Sequence, residues 1–432
     1  MRASEAERHD VVIVGGGPVG LCLGVLLAQK GVDVAVLEAR TERTAHSRAI
    51  GIHPPGLRVL AAAGVADALW ADGVRVTGGI ARSRGRDVAR LAFDPPVLAV
   101  PQWRTEQALE ARLAELAPGA LRRGVRAVGV HAVGVPAVGV HAVGAADGAA
   151  DGGSADRVAE DRVGATRSGE GSTGANRVGA TGLGEGRAVV RALEAAGGDL
   201  AFAGAWVAAA DGARSPLRTA LGLAARERTY PDAYVMGDFA DATRDGSTAV
   251  LYLEPEGIVE SFPLPGGIRR WVVHTDRLVA EPTAQGLARL VGERTGATVD
   301  PATNSMLSAF CVTERRAAAV LRGRTVLLGD AAHELSPIGG QGMTLGWLDA
   351  EAFAPLLAGA ARGAPDAWPE LWAAVADGRR RAAAEAARRA ALNMALGRPL
   401  PAWAMTVRNA AFRELYRSAG VRAWTSRRFT MQ

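Results

Sequence analysis

The sequence predicts an α/β chain: a parallel β-α-β unit opens it, a β-rich segment is inserted in the middle, and helices close it. Three observations carry this. DVVIV at 10–14 and DVAVL at 33–37 are apolar, β-branched runs flanking an apolar helix pattern that reaches Gln29, the mark of buried parallel strands. Short β-type runs dominate 230–275, among them AVLYL at 249–253 and WVVH at 271–274. Helical patterns then fill 343–357 and 373–396, after one more buried strand, TVLL at 325–328.

The bulk numbers bound the function. A chain of 432 residues can bury a large core. Its formal net charge of +5 invites a nucleic-acid reading, but Lys30 is the only lysine and the remaining basic residues are arginines spread through Ala- and Gly-rich sequence. The densest basic run, Arg379-Arg380-Arg381 continuing to Arg388-Arg389, falls in a helix pattern and reads as a solvated face, so no nucleic-acid partner is expected. Two cysteines, Cys22 and Cys311, exclude a disulfide framework and a cysteine zinc site, and no metal is expected. The first nine residues lack a signal-peptide core, and the apolar run 19–28 is too short to span a bilayer. The expectation is a reduced, cytoplasmic protein without stable membrane insertion; the sequence leaves its oligomeric state open.

One stretch differs in kind. AVGVH, AVGVP and AVGVH follow one another from Ala127 to His141, and RVGATRSGEG at 162–171 returns as RVGATGLGEG at 177–186. Units this short and this rich in Gly and Ala build no packed core and match no solenoid period. The reading is a floppy insertion over about 127–186 without direct chemistry, His131 and His141 included.

Gly15-x-Gly17-x-x-Gly20 lies between the first strand and its helix. Gly15 permits the tight turn, Gly17 lets backbone approach a pyrophosphate, and Gly20 allows close helix–strand packing. Pro18 and Val19 complete the turn into the helix, whose N-terminus offers free N–H groups and partial positive charge to phosphates. Glu38, ending the second strand with Ala39 beside it, is placed to accept hydrogen bonds from a ribose hydroxyl. A Rossmann-like dinucleotide site follows, and the pattern alone does not choose between FAD and NAD.

Two later passages make that choice. ADGARSPLR at 210–218 follows a strand, and GDAAHELSPIGGQGMTLG at 329–346 follows another. With GGGPVG and Glu38 they make the chain resemble the group A flavoprotein monooxygenases, the family of para-hydroxybenzoate hydroxylase and many polyketide-tailoring hydroxylases. The likeness spans about 1–120 and 190–360. It implies FAD as cofactor: Asp330 on the ribityl chain, Gly342 and Met343 at the pyrimidine edge with Gly340 in the same turn, and Pro337 near the reactive edge as the one candidate at the chemistry. It implies cofactor contacts from Asp211 and Gly212, with Arg214 and Arg218 beside them. It also implies contacts from Arg48 in the first connecting loop and from Gln102 and Arg104 ahead of a helix. Thr344 departs from the family, which usually carries Asn there. No residue is assigned as an acid or base.

The implied domain order is a Rossmann-like FAD-binding domain in three parts (1–77, 100–225, 312–372), an inserted β-rich substrate domain (78–99 and 226–311) and C-terminal helices (373–432). Tyr230, Tyr234, Trp271 and His274 are the candidate pocket residues in the β-rich segment. The implied reaction is hydroxylation of an aromatic or polyketide-type molecule: NAD(P)H reduces FAD, O2 adds at the flavin C4a, and the hydroperoxide oxygenates the substrate. No second GxGxxG follows, which fits NAD(P)H as a transient co-substrate. An FAD-dependent epoxidase or a geranylgeranyl-reductase-like enzyme shares these motifs and stays open, as does a basic binding protein that retains the fold. A halogenase is disfavoured by the lack of a WxWxIP motif. His333-Glu334 is no HExxH, because Pro337 stands where the second His belongs, and no GxSxG elbow occurs.

Overall fold

The computed structural model describes residues 6–43, 49–133, 186–363 and 368–432. The chain opens with β1 (Glu7–Val14), α1 (Pro18–Ala28) and β2 (Val34–Glu38). Short β3 (Gly51–Ile52) and the helices α2 (Pro54–Ala62) and α3 (Ala66–Asp72) lead to a long hairpin of β4 (Val74–Ser83) and β5 (Arg86–Ala99). Helix α4 (Gln102–Leu116) returns to β6 (Leu121–Arg123), and β7 (Val125–Val133), β8 (Arg187–Glu194) and β9 (Asp199–Ala209) follow. After α5 (Pro216–Ala220) come β10 (Ala225–Ala240), β11 (Ala249–Glu254), β12 (Gly257–Leu264) and β13 (Ile268–Thr275). Helix α6 (Ala284–Thr295) precedes β14 (Met306–Ala317), β15 (Leu321–Arg322), β16 (Thr325–Leu327) and β17 (His333–Glu334). The chain closes with α7 (Gln341–Ala361), α8 (Trp368–Gly397), α9 (Ala402–Leu415) and α10 (Ala419–Phe429).

The first sheet has β16, β9, β1, β2 and β6 side by side and parallel, with β15 at one edge. Its central strands are buried on both faces, as their unbroken Val, Ile and Ala runs require. Helices α1 and α7 pack together on it, and the Trp347 indole donates to the Pro18 carbonyl at 3.0 Å. Gly20 is what lets α1 come so close: a Cβ there would stand 1.9 Å from the Gly15 carbonyl oxygen.

The second sheet is ordered β17-β14-β10-β13-β12-β11-β4-β5-β3 and is antiparallel except where β11 joins β4. Alternation along its strands gives two apolar faces. Phe239, Trp271 and Val273 pack under α6 against Leu287 and Val291. Met236, Val272 and Ile258 turn the other way, toward the first sheet.

Two expectations about boundaries need correction. The first copy of the repeat lies in a strand: β7 runs through Val133 and pairs antiparallel with β8, placing His131 opposite Val189. Valines at 125, 128 and 130 give this stretch enough β-propensity to form a hairpin arm, which the Gly-rich composition of the repeat conceals. The rest of the expected insertion, with His141, lies outside the described residues. The boundary expected after 311 also cuts a strand, because β14 stays in the second sheet as far as Ala317.

Candidate functional site

A cavity of about 930 Å³ lies between the two sheets. Three loops at the carboxyl ends of first-sheet strands form one side of it, where ligands of open α/β sheets bind. The turn after β1 contributes Gly15, Gly17, Pro18 and Val19. Gly15 has φ +108°, and a Cβ would meet the Ala210 carbonyl oxygen at 2.2 Å, so this turn and the Asp211 loop touch through the glycine. At Gly17 a Cβ would meet nothing within 4 Å, so the wall is left open where a phosphate would approach. Gly20 lies behind the wall, in the packing of α1.

Glu38 and Ala39 line the cavity at the end of β2. Glu38 accepts from the Gly16 amide at 2.8 Å and from the Arg40 amide and Nε at 2.9 and 2.8 Å. Burial would raise its pKa, but the hydrogen bonds and charge of Arg40 outweigh burial and hold the carboxyl below its ordinary value. A fixed carboxylate thus stands at the cavity edge beside the glycine turn.

The loop after β9 brings Asp211 and Gly212 to the same cavity. Asp211 Oδ2 accepts from the Leu217 amide at 3.1 Å, while Oδ1 is buried without a hydrogen-bond partner. Burial pushes the Asp211 pKa up. Arg218 ties this loop to the next, donating to the Ala213 carbonyl at 2.8 Å and to the Ala331 carbonyl at 2.9 Å. Arg214 is exposed.

The third loop places Asp330, Pro337, Gly340, Gly342 and Met343 on the cavity. Asp330 lines the cavity with its side chain exposed, and the protein packed around its carboxyl raises its pKa. Its turn is anchored from behind. Asp349 on α7, 1% exposed, accepts from the Gly329 amide at 3.0 Å, from His333 Nε2 at 2.6 Å and from Arg379 Nε at 2.6 Å. Burial alone would lower the His333 pKa, but the Asp349 charge and hydrogen bond raise it. Asp349 is correspondingly lowered despite its own burial. Arg379 therefore turns inward from α8, unlike the solvated face expected of its run. Thr344 is fully buried, and its Oγ1 accepts from the His53 amide at 3.4 Å at the start of α2.

Other expected residues stand apart. Gln102 lines the cavity at the start of α4, but Arg104 does not. Its guanidinium lies over the Trp103 ring at 4.5 Å and 3.8 Å from Asp72, because two steps along α4 turn it outward. Arg48 lies outside the described residues. None of the four candidate pocket residues lines the cavity. Trp271 faces α6, on the opposite side of β13 from Arg270 and Val272. Tyr230 donates to Glu314 at 2.7 Å. Tyr234 shares the cavity-facing side but is covered, stacked on Phe310 and edge-on to His274 at 5.7 and 5.4 Å.

The cavity uses residues that the sequence reading passed over. His53 lines it, with Nε2 3.0 Å from the Gly339 carbonyl, which makes that nitrogen the donor. Burial pushes the His53 pKa down to about 4. The second sheet supplies an apolar floor that includes Leu251, Ile258, Phe262 and Val272, with one carboxyl among them, Glu260. The closing helices supply Asn393, Phe412, Tyr416 and Phe429. Only the IHPP sequence, a helix start, marks His53 in advance; nothing local marks the others.

Comparison with known proteins agrees with this geometry. A family model described as FAD binding domain matches residues 8–147 and 175–390. The chain is 30% identical over 372 residues to 6-methylpretetramide 4-monooxygenase of Streptomyces rimosus, covering 83% of this chain and 57% of that protein. It is 29% identical over 379 residues to 3-(3-hydroxy-phenyl)propionate/3-hydroxycinnamic acid hydroxylase 2 of Burkholderia vietnamiensis (strain G4 / LMG 22486), covering 84% and 59%. The chain thus spans somewhat more than half the length of these relatives. Among solved structures, p-nitrophenol 4-monooxygenase from Pseudomonas putida DLL-E4 shares the fold with a TM-score of 0.76 at 22% identity, covering 98% of each chain. No helix of the described residues is long and apolar enough to cross a membrane. With the glycine turn, the Asp211 loop and the Asp330 loop on one cavity, the chain belongs to the FAD binding domain family, the fold of the group A flavin monooxygenases.

Proposed function

We propose that this protein is an FAD-dependent monooxygenase that hydroxylates an aromatic or polyketide-type small molecule, with NAD(P)H and O2 as co-substrates. The observation that carries the reading is the convergence of three loops on one cavity whose far side is an apolar sheet face. The residues present fit the cofactor. Gly17 leaves room for the pyrophosphate at the α1 N-terminus, Glu38 is a fixed acceptor for a ribose hydroxyl, and the unpartnered Asp211 Oδ1 and the cavity-facing Asp330 accept from hydroxyls of the connecting chain. The turn Gly339-Gly340, with φ +93° and +64°, opens α7, and the free amides of Gly342 and Met343 in its first turn would hold the flavin ring. When bound, the flavin takes electrons from NAD(P)H and activates O2 for transfer of one oxygen atom to the substrate.

The chain's own work is to hold and to exclude. The His333–Asp349–Arg379 network fixes the Asp330 turn, and Arg218 locks that turn to the Asp211 loop. The apolar floor and the helices α8 to α10 shut water out of the oxygenation site, which protects the reactive oxygen from unproductive decay. The test is oxygen uptake by purified, flavin-loaded protein with NAD(P)H and a panel of phenols and hydroxylated polycycles. Uptake that rises with a substrate and yields hydroxylated product supports the reading. A protein that binds no flavin overturns it, and substrate-dependent NAD(P)H oxidation without oxygen uptake favours a reductase.

A further inference from the structure

Glu260 stands in an unusual place. It lies in the middle of β12 and points into the cavity, with Leu251 of β11 paired across it on one side and Val272 of β13 on the other. Ile258 and Phe262 flank it along its own strand and also line the cavity. The residue is 6% exposed, and among the described residues no group hydrogen-bonds or ion-pairs with its carboxyl. The ionic groups on that face are already engaged: Arg270 with Asp238 at 2.7 and 2.8 Å, Asp232 with Arg398 and His274. Tyr234 of β10 is near enough to feel the Glu260 charge, yet its hydroxyl is buried without a partner. A buried carboxyl without a partner is costly for the fold alone, so its place in the cavity floor calls for a ligand that completes it.

We propose that Glu260 accepts a hydrogen bond, and then the proton, from a ring hydroxyl of the substrate, and so restricts this cavity to hydroxylated aromatic molecules. The inference rests on the monooxygenase reading and adds the substrate class to it. In the proton step the substrate O–H bond breaks and a bond forms between that hydrogen and a Glu260 carboxylate oxygen. The electron pair stays on the substrate as phenolate, and no oxidant or reductant is consumed. Burial pushes the Glu260 pKa up to about 7, which narrows its gap to a phenol and favours proton acceptance. The phenolate is the more electron-rich ring, the form that an electrophilic oxygen attacks. The apolar surround strengthens the contact and disfavours ligands that cannot donate to the carboxylate.

The experiment uses the flavin-loaded protein at pH 7 with 3-nitrophenol and 7-hydroxycoumarin, phenols still mostly neutral in solution at that pH, each compared with its O-methyl ether. Binding is read from the change in the absorbance of bound flavin, and protonation from the colour of the probe. The hydroxylated probes should bind at least tenfold tighter than the ethers, roughly the effect of one hydrogen bond to a charged group, and should be bound as phenolates. E260Q should hold flavin as the parent does, lose most of that preference, and leave the probes as neutral phenols. E260D, which keeps a shorter carboxylate, should recover part of it. Equal binding of phenols and ethers by the parent, or an undiminished preference and phenolate colour in E260Q, overturns the role of Glu260 and leaves the monooxygenase reading intact. Probes that do not bind at all likewise overturn the role of Glu260, and a protein that holds no flavin overturns both.

Discussion

Replacing Asp349 by Asn tests the anchoring of the Asp330 turn. The carboxylate accepts three hydrogen bonds, from Gly329, His333 and Arg379, and is 1% exposed. Asn keeps the shape but removes the charge and presents an NH2 to groups that are all donors, so at least one contact becomes donor against donor. Breaking a buried ion pair by removing one partner costs about 3–5 kcal/mol. His333 can shed its proton once the charge is gone, and the Arg379 side chain is 16% exposed and can draw partial hydration. The expectation therefore sits at the low end, about 3 kcal/mol, a large fraction of a typical folding stability. Urea unfolding at pH 6 and pH 8 reads it. The folded pKa of His333 is raised above its ordinary 6.5, so its contribution is fully present below pH 6.5 and is lost as pH rises through the folded value. D349N should lose this part of the pH slope along with its stability, and should release flavin more readily. Stability within about 1 kcal/mol of the parent, or an unchanged slope, refutes the anchoring argument.

Other substitutions separate packing from binding. G17A should fold within about 0.5 kcal/mol of the parent, because nothing lies within 4 Å of the added methyl, yet flavin affinity should fall at least tenfold by equilibrium dialysis. G20A should instead destabilise the apo protein, because its methyl would stand 1.9 Å from the Gly15 oxygen, and a normal unfolding midpoint would contradict this. Glu260 has its pKa raised from 4.5 to about 7, so the parent should lose about 3 kcal/mol between pH 4.5 and pH 8 through this group, at about 1.4 kcal/mol per tenfold change in proton affinity. E260Q should then be more stable than the parent at pH 8 and not at pH 4.5, as thermal melts would report. R218M removes the tie between the Ala213 and Ala331 carbonyls, and flavin should dissociate faster while the unfolding midpoint of the β-rich sheet moves little; unchanged release kinetics would count against that bridge.

The motif residues were legible because their chemistry is local. A glycine turn between a buried strand and an apolar helix, an acid ending the next strand, and DG or GD after further strands each follow from a few adjacent positions. Their convergence on one cavity follows from parallel strand order, since strand ends on one edge of a sheet share a neighbourhood. Sequence reading failed where a face had to be chosen. Period-two alternation places Trp271 opposite Arg270 and Val272, but does not say that α6, arriving later in the chain, covers the tryptophan side. Arg104 failed for the same reason on a helix, and the first repeat copy forms a strand with Arg187–Glu194 alongside to pair with it.

The sequence by itself determined the β-α-β start, the three loops that meet at the cavity and the family, because each is written in contiguous residues whose backbone needs are specific. Only the tertiary structure decided the rest of the cavity. Glu260 reads in sequence as one polar residue in an alternating strand, and Asp349 as one acid on a long helix. Their surroundings are Leu251 and Val272, or Gly329, His333 and Arg379, brought beside them by sheet register and helix packing. Burial and partnership set the charge state of a carboxyl, and both are properties of the folded chain.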